Sequence, residues 1–237
     1  MPMTQPLAAE VPFKMGDVIK DDFTLQLQIG AGTFGVIFSA LYKGRDITKH
    51  VAIKLEKNIP KFSLQANEVQ ILKIMAGSQH FAKFYQCGTF ENYKLVVMQL
   101  LGPSILSLVN RKRPYQLSTL QLLKFGQQSI QALKELHLAG FVHRDVKPDN
   151  FVIGNTIEKA GIIYLIDFGL SKKLFIHNGK ITKPTTPGNF RGTLRYASPN
   201  AHNKIELGRQ DDLISLLYMM IEFYTGKLPW QGITDPV

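Results

Sequence analysis

The run His143-Arg144-Asp145-Val146-Lys147-Pro148-Asp149-Asn150 packs a carboxylate, an ammonium and an amide into six positions, at Asp145, Lys147 and Asn150. Converged by one loop, such groups suit the transfer of a negatively charged group to a hydroxyl. Asp145 can orient a hydroxyl or take its proton, Lys147 can neutralise negative charge in transit, and Asn150 can offer an oxygen to a hard cation. Asp167-Phe168-Gly169 adds a second carboxylate where the apolar run Tyr164 to Ile166 ends, and a carboxylate leaving a hydrophobic wall needs a counter-charge or a metal. Asn150 and Asp167 together make a sparse, all-oxygen set of the kind magnesium accepts while keeping waters and sharing phosphate ligands. The plainer readings are a solvated charged turn for 143–150 and a capping or turn aspartate for Asp167.

Two more constellations lie upstream. Val51-Ala52-Ile53-Lys54 ends an apolar strand with an ammonium that needs a partner. Glu68, on the helix that follows, is the candidate, although two solvated charges on separate edges would read the same way. Gly30-Ala31-Gly32-Thr33-Phe34-Gly35 lies between two strand-like runs, where backbone without Cβ can approach phosphates closely. Three glycines in a tight hairpin are equally good turn chemistry. In a dinucleotide-binding fold they would open a helix, which strand-like Val36 to Tyr42 does not.

The elements that must carry these residues are legible as a coarse sequence. Met1 to Val11, with two prolines and no apolar period, is expected to be a loose tail, with order beginning near Phe13 and the tail assigned to residues 1–15. Phe23 to Ile29, Gly35 to Tyr42, His50 to Leu55, Phe84 to Gly88 and Tyr93 to Met98 read as strands of one antiparallel sheet. Leu64, Val69, Leu72 and Met75 give the stretch Ser63 to Met75 a helical period, so one helix interrupts the strands. Past Gly102-Pro103 the texture turns helical. Leu106 and Val109 come first, then Leu117 to Leu138 with Ser118 as N-cap and Gly140 as stop. Short strands at Phe151 to Ile153 and Tyr164 to Ile166 precede an irregular stretch, Asp167 to Ala197, and a helix from Asp211 to Thr225. The expected fold class is α+β, a small antiparallel β lobe over residues 16–98, a hinge at 99–102 and a mainly helical lobe over 103–237.

Composition narrows the class. The chain has 237 residues, 45% of them hydrophobic and only 19% charged, which excludes a disordered or low-complexity protein. Lys and Arg number 28 against 18 Asp and Glu, a net charge of +10. That raises the alternative of a nucleic-acid binder, but no aromatic-interleaved basic motif supports it, so no nucleic-acid partner is expected. Cys87 is the single cysteine, so neither an intrachain disulfide nor a cysteine metal cluster can form. No apolar run approaches the ~20 residues of a membrane span, and no secretory leader pattern opens the chain. A soluble, cytoplasmic protein is expected, with nuclear or cytoskeletal association open and no membrane partner.

The glycine-rich loop, the Val-Ala-Ile-Lys strand, the helix glutamate, the His-Arg-Asp loop and Asp-Phe-Gly stand in the order of the protein kinase signature set, which the chain resembles from about Val18 to Gly232. Leu100-Leu101-Gly102-Pro103-Ser104, His143 to Phe151 and Gly192-Thr193-Leu194-Arg195-Tyr196-Ala197-Ser198 are similar to the casein kinase I superfamily. Val97-Met98-Gln99-Leu100, Phe190-Arg191-Gly192-Thr193 and Asn200-Ala201-His202 look closer to its tau-tubulin kinase branch. The resemblance implies ATP and Mg2+ as cofactors. It also implies Lys54 and Glu68 as an ion pair, Asp145 as base, Lys147 at the γ-phosphate, and Asn150 and Asp167 as magnesium ligands. Ile29 and Gly30 through Gly35, including Ala31, Gly32, Thr33 and Phe34, would cover the phosphates. Met98 would be the gatekeeper, the Gln99 carbonyl and Leu101 amide would hold adenine, and Ile37, Ala52 and Val152 would sandwich it. Core packing explains those apolar positions equally well. Asp212 resembles the helix aspartate that braces the catalytic loop, and is equally placed to be an N-cap.

From Phe168 to Ile205 there is no acidic residue, while Lys172, Lys173, Lys180, Lys183, Arg191, Arg195 and Lys204 are positive. A segment so basic attracts anions. The resemblance points the same way, to acidic or phosphorylated protein substrates with Arg191 and Arg195 at a substrate anion site, and to activity without an upstream kinase although Thr182, Thr185 and Thr186 are available acceptors. Ser198-Pro199-Asn200 replaces the usual Ala-Pro-Glu, in keeping with casein kinase I. Family members continue beyond the position of Val237, so the helical lobe is expected to be incomplete, with apolar surface exposed between Leu213 and Phe223. A nucleotide-binding pseudokinase scaffold is the alternative function, and a monomer is expected.

Overall fold

The computed structural model describes residues 11–32, 35–59, 65–111, 113–174, 176–177, 180–181, 190 and 192–232. Thr33, Phe34, Thr182, Thr185, Thr186 and Arg191 lie outside the described residues. The chain divides into two compact units. One comprises Met1–Gly77 and Ala82–Leu101, the other Ser78–Phe81 and Gly102–Val237.

The first unit is a six-stranded antiparallel sheet with one helix. Its strands are β1 (Val18–Ile19), β2 (Phe23–Gly32), β3 (Gly35–Lys43), β4 (Thr48–Lys57), β5 (Phe84–Phe90) and β6 (Tyr93–Gln99), in the order β1-β2-β3-β4-β6-β5. Helix α1 (Gln65–Ile74) packs on β5 and β6. Alternation sorts the side chains between faces. Leu25, Val36, Phe38, Ile53, Leu55 and Val97 are buried in one core cluster. Val11 and Phe13, from the stretch expected to be a tail, pack against that cluster, with the Phe13 ring 5.0 Å from that of Tyr93. Directly opposed residues share a face, and Ile37 opposes Lys54, Lys54 opposes Val96, and Ala52 opposes Met98. Ile37, Lys54, Ala52 and Met98 therefore line the face away from the cluster. The pairing of β2 with β3 slips between Leu25 and Gly30. Buried Ser39 repairs the slip, its Oγ accepting the Leu27 N–H at 3.1 Å and donating to the Leu27 carbonyl at 3.3 Å.

The second unit is built on helices α2 (Ile105–Val109), α3 (Thr119–Leu138), α4 (Pro199–His202) and α5 (Arg209–Thr225). Two-stranded pairs join them: β7 (Phe141–Val142) with β10 (Lys172–Lys173), β8 (Phe151–Ile153) with β9 (Ile163–Leu165), and β11 (Ile176–His177) with β12 (Lys180–Ile181). Ser118 caps α3 in a reciprocal box with Gln121, and Gly140, at φ +86, follows its end. Phe125 of α3 meets Phe151 of β8 and Phe223 of α5 edge-on, at 5.4 and 5.6 Å between ring centroids. The helices lie close because a Cβ on Gly126 would come within 2.7 Å of the Met220 methyl. Leu216, Met219 and Phe223 are buried, while Leu213, Leu217, Ile221 and Tyr224 form an exposed stripe on the same helix.

The stretch expected to be irregular from Asp167 to Ala197 contains β10, the β11–β12 hairpin and a 3-10 turn at Leu194–Tyr196. Two-residue strands are too short to show an alternating pattern. The strand expected at Tyr164 to Ile166 runs one residue earlier, and the Ile166 N–H instead donates to the Asn150 carbonyl at 3.0 Å.

Candidate active site

Loop 143–150 runs between β7 and β8 and closes in a 3-10 turn, Pro148–Asn150, whose proline suits a first helical position. Its start is fixed from α5. One Asp212 oxygen accepts the Arg144 N–H at 2.9 Å; the other accepts the His143 N–H and His137 Nε2, each at 2.8 Å. Asp212 does not cap its helix. The cap position is Gly208, whose N–H donates to Asp211 at 2.7 Å. His143 is fully buried. Its Nδ1 accepts the Asp145 N–H at 3.3 Å, which assigns the ring hydrogen to Nε2, donating to the Ile166 carbonyl at 3.0 Å. Arg144 adopts φ +67, a left-handed conformation that needs support from its surroundings. Gly192, at φ +99, comes so near that a Cβ would lie 2.6 Å from the Arg144 carbonyl.

These supports aim Asp145, a buried residue. Thr193 Oγ1 donates to one carboxylate oxygen at 2.8 Å, and Lys147 Nζ lies 2.7 Å from the other. Asn150 Nδ2 donates to the Asp145 carbonyl at 2.8 Å, with a longer contact of 3.4 Å to the carboxylate. Asp145, Lys147 and Asn150 are thus brought together, with Thr193 as a fourth member. Because Nδ2 is the atom committed to Asp145, the Asn150 carbonyl oxygen is the one offered to a cation. Asp167 is exposed at φ +63, whereas Phe168 beside it is buried, stacked on Phe81 at 5.5 Å and edge-on to His143 at 5.5 Å. Burial of the phenylalanine and the left-handed turn before it throw the carboxylate outward. An amide oxygen and a carboxylate are a donor set magnesium fits. Among the described residues no group of three or more His, Cys, Asp and Glu could hold a metal.

In the first unit Lys54 Nζ lies 2.7 Å from Glu68 Oε2, and both side chains are largely buried. Ile29 and Ala31 are exposed and Gly30 is half-buried. The hairpin glycines differ: a Cβ on Gly35 would lie 2.2 Å from the Leu55 carbonyl, whereas one on Gly32 would meet nothing within 4 Å. The Gln99 N–H donates to the Lys83 carbonyl at 2.8 Å. Leu101 closes this unit, and Val152 is buried in β8 of the other, bridged to Ser104.

A profile of the protein kinase domain family matches residues 23–236. The chain belongs to that family. It is also 40% identical over 227 residues, 95% of its length, to a probable serine/threonine-protein kinase of Dictyostelium discoideum, of which it spans 45%. An antiparallel β unit and a mainly helical unit are the two parts of the α+β kinase fold.

For a kinase, the surroundings of the basic segment carry consequences. Arg195, expected at an anion site, stands 3.3 Å from Glu222. Tyr196 donates its hydroxyl to the same glutamate at 2.5 Å, and burial together with that carboxylate pushes the hydroxyl well above the usual tyrosine range. Lys172 lies 2.8 Å from one oxygen of Glu206, and Arg144 lies 3.7 Å from the other. The positive segment is therefore partly neutralised by acids that follow it in sequence. Thr193, Glu206 and His137 were not singled out as site residues. Glu206 had one signal, as the first acid after an acid-free run. No helix among the described residues is long and apolar enough to cross a membrane.

Proposed function

We propose that the chain is an ATP-dependent protein serine/threonine kinase of casein kinase I type, in the tau-tubulin kinase-like branch, acting on acidic or already phosphorylated substrates. The observation that carries the reading is the Asp145 carboxylate, buried and held on both oxygens by Lys147 and Thr193. A base so fixed can orient a substrate hydroxyl and take its proton without reorganising. Lys147, already beside that carboxylate, is placed to balance charge as a γ-phosphoryl group arrives. Asn150 and Asp167 would hold magnesium, which supplies neutralisation of the phosphates. Glu68 fixes Lys54 to meet phosphate oxygens, and Ile37, Ala52, Met98, Gln99 and Leu101 of the first unit take the adenine.

The casein kinase I type rests on the motifs Leu100 to Ser104, His143 to Phe151 and Gly192 to Ser198, and the branch on Val97 to Leu100, Phe190 to Thr193 and Asn200 to His202. The substrate class rests on the acid-free basic run from Phe168 to Ile205. With Arg195 held by Glu222 and Lys172 by Glu206, the anion attraction falls chiefly to the remaining positive residues.

The test is phosphate transfer from labelled ATP and magnesium to acidic and basic Ser/Thr peptides, by this chain and by Asp145→Asn. Asparagine keeps the shape and loses the base, so transfer is expected to fall by roughly 10²- to 10⁴-fold, and the acidic peptide to be the better substrate. Undiminished transfer in the variant sinks the mechanism. Equal use of both peptides sinks the substrate class, and ATP binding without transfer by the wild-type chain leaves the scaffold reading.

A further inference from the structure

The second unit carries a stretch without any acid, from Gly102 to Lys134. Within it lies Arg111-Lys112-Arg113-Pro114-Tyr115, in the link between α2 and α3. Arg111 and Arg113 are exposed, and Lys112 lies outside the described residues. The acids that could balance this link are engaged elsewhere. Glu135, the first to follow, accepts the Ser78 hydroxyl on one oxygen and Gln131 Nε2 at 2.9 Å on the other. Glu222, near the end of α5, is held by Arg195 and Tyr196.

The backbone of the link is fixed at both ends. The Asn110 N–H donates to the Leu106 carbonyl at 2.9 Å, and the Leu117 N–H donates to the Phe223 carbonyl at 2.9 Å. The second bond brings the link alongside the end of α5, where a Cβ on Gly226 would lie 3.1 Å from Gln116 Nε2. Lys227 follows that glycine and is exposed, a third cation at the same corner. Among the described residues no acid pairs with Arg111, Arg113 or Lys227. Arg113 is directed by its neighbour, Nε donating to the Tyr115 hydroxyl at 3.2 Å with the guanidinium carbon 5.7 Å from the ring centroid. A guanidinium already held loses less freedom when an anion meets it.

Forked arginine donors suit carboxylates, and Tyr115, 46% exposed, offers ring surface beside them. The patch is short. A nucleic-acid strand calls for cations along a track of phosphates, whereas a few at one corner match the carboxylates of a peptide. Position adds to chemistry, because α2 leads into the link and packs on the Pro148–Asn150 turn and on β8. The patch thus belongs to the unit that bears Asp145 and is joined to its loop through one helix.

We propose that Arg111, Arg113 and Lys227 form a docking surface for an Asp/Glu-rich segment of the protein substrate, apart from the residue that is phosphorylated. A segment bound there tethers the acceptor to the unit of Asp145 and raises its effective concentration. The inference rests on the kinase reading above. It gives acidic substrates a second place of contact, separate in sequence from the basic run 168–205.

The experiment uses two peptides with one Ser/Thr acceptor sequence, the second extended through a flexible Gly/Ser linker of about twenty residues to a tail of Asp, Glu and Leu. Wild type is compared with Arg111→Ala/Arg113→Ala, Arg111→Lys/Arg113→Lys and Lys227→Ala, measuring kcat and KM for each peptide, thermal midpoint, and binding of the free tail by fluorescence anisotropy. In wild type the tail is expected to lower KM about tenfold with kcat unchanged. The alanine pair is expected to erase that gain and to leave the untailed peptide and the midpoint as in wild type. The lysine pair keeps the charge, loses the fork and is expected to retain part of the gain. A merely structural role would shift both peptides together. Should the alanine pair fail to fold, competition decides: excess free tail is expected to inhibit the tailed peptide and spare the untailed one. Equal KM for the two peptides in wild type, a gain that survives in the folded alanine pair, or inhibition of both peptides alike by free tail would each overturn the proposal. So would a single-stranded oligonucleotide that binds wild type more tightly than the tail at physiological salt and is lost with the alanine pair. Absence of transfer to either peptide by wild type would instead defeat the kinase reading, and anisotropy of the free tail on wild type and variants would still decide the surface.

Discussion

The β2–β3 hairpin and loop 143–150 both carry residues suited to phosphate chemistry, yet the fold constrains them in opposite ways. The hairpin is held by its own strand pairing and by one tight approach, Gly35 under the Leu55 carbonyl, while a Cβ on Gly32 would meet nothing within 4 Å among the described residues. The loop is held from far along the chain, by Asp212, Thr193 and Glu206. Under the proposed function the difference has a reason, since a segment that admits a ligand can stay open whereas one that aims a base has to be fixed before the ligand arrives. The first unit holds its own ion pair within itself, with Lys54 Nζ 2.7 Å from Glu68.

The largest effect on this contrast is expected from Asp212→Ala. It strips the partner from the His143 and Arg144 N–H groups and from His137, all within the interior. A loss of about 3–5 kcal/mol is expected, read as a fall in the denaturation midpoint. A loss under about 1 kcal/mol would show that the loop is not held from α5. Next is the glycine pair. Gly35→Ala must displace the Leu55 backbone and is expected to destabilise by about 1–3 kcal/mol, while Gly32→Ala is expected to stay within about 0.5 kcal/mol. Equal losses would erase the distinction drawn within the hairpin.

The smallest effect belongs to Tyr196. Because its hydroxyl is held above the usual tyrosine range, the unfolded chain releases that proton first as pH rises. The folded state is therefore expected to keep this contribution below about pH 10 and to lose it progressively above, the unfolded tyrosine titrating near 10. Tyr196→Phe should flatten that alkaline slope in unfolding measurements. An unchanged slope would remove Tyr196 from the account.

How much of this was legible follows from contact range. The strands from Phe23 to Met98 show in the sequence because alternation is local. Helix α3 shows through its Ser118–Gln121 box, and the Lys54–Glu68 pair because a strand and the next helix bring them together. The triad Asp145, Lys147 and Asn150 lies within one loop and was readable from spacing. Thr193 and Glu206 were not, because no period marks the irregular segment that delivers them. Asp212 was open between brace and cap until the position of its side chain distinguished the two. Arg195 was legible as a charge but not as a neutralised one, since Glu222 lies on another element.

The hold of Asp212 on His143 and Arg144 also sets an order in time. The groups it joins are separated by 69 and 68 positions in the chain, and a contact between such distant residues forms only after the intervening chain has closed its loop. The hairpin needs no such wait. During refolding, the loop bearing Asp145 therefore takes its final shape only when α5 docks, and a chain can hold nearly all of its secondary structure before that carboxylate is in place.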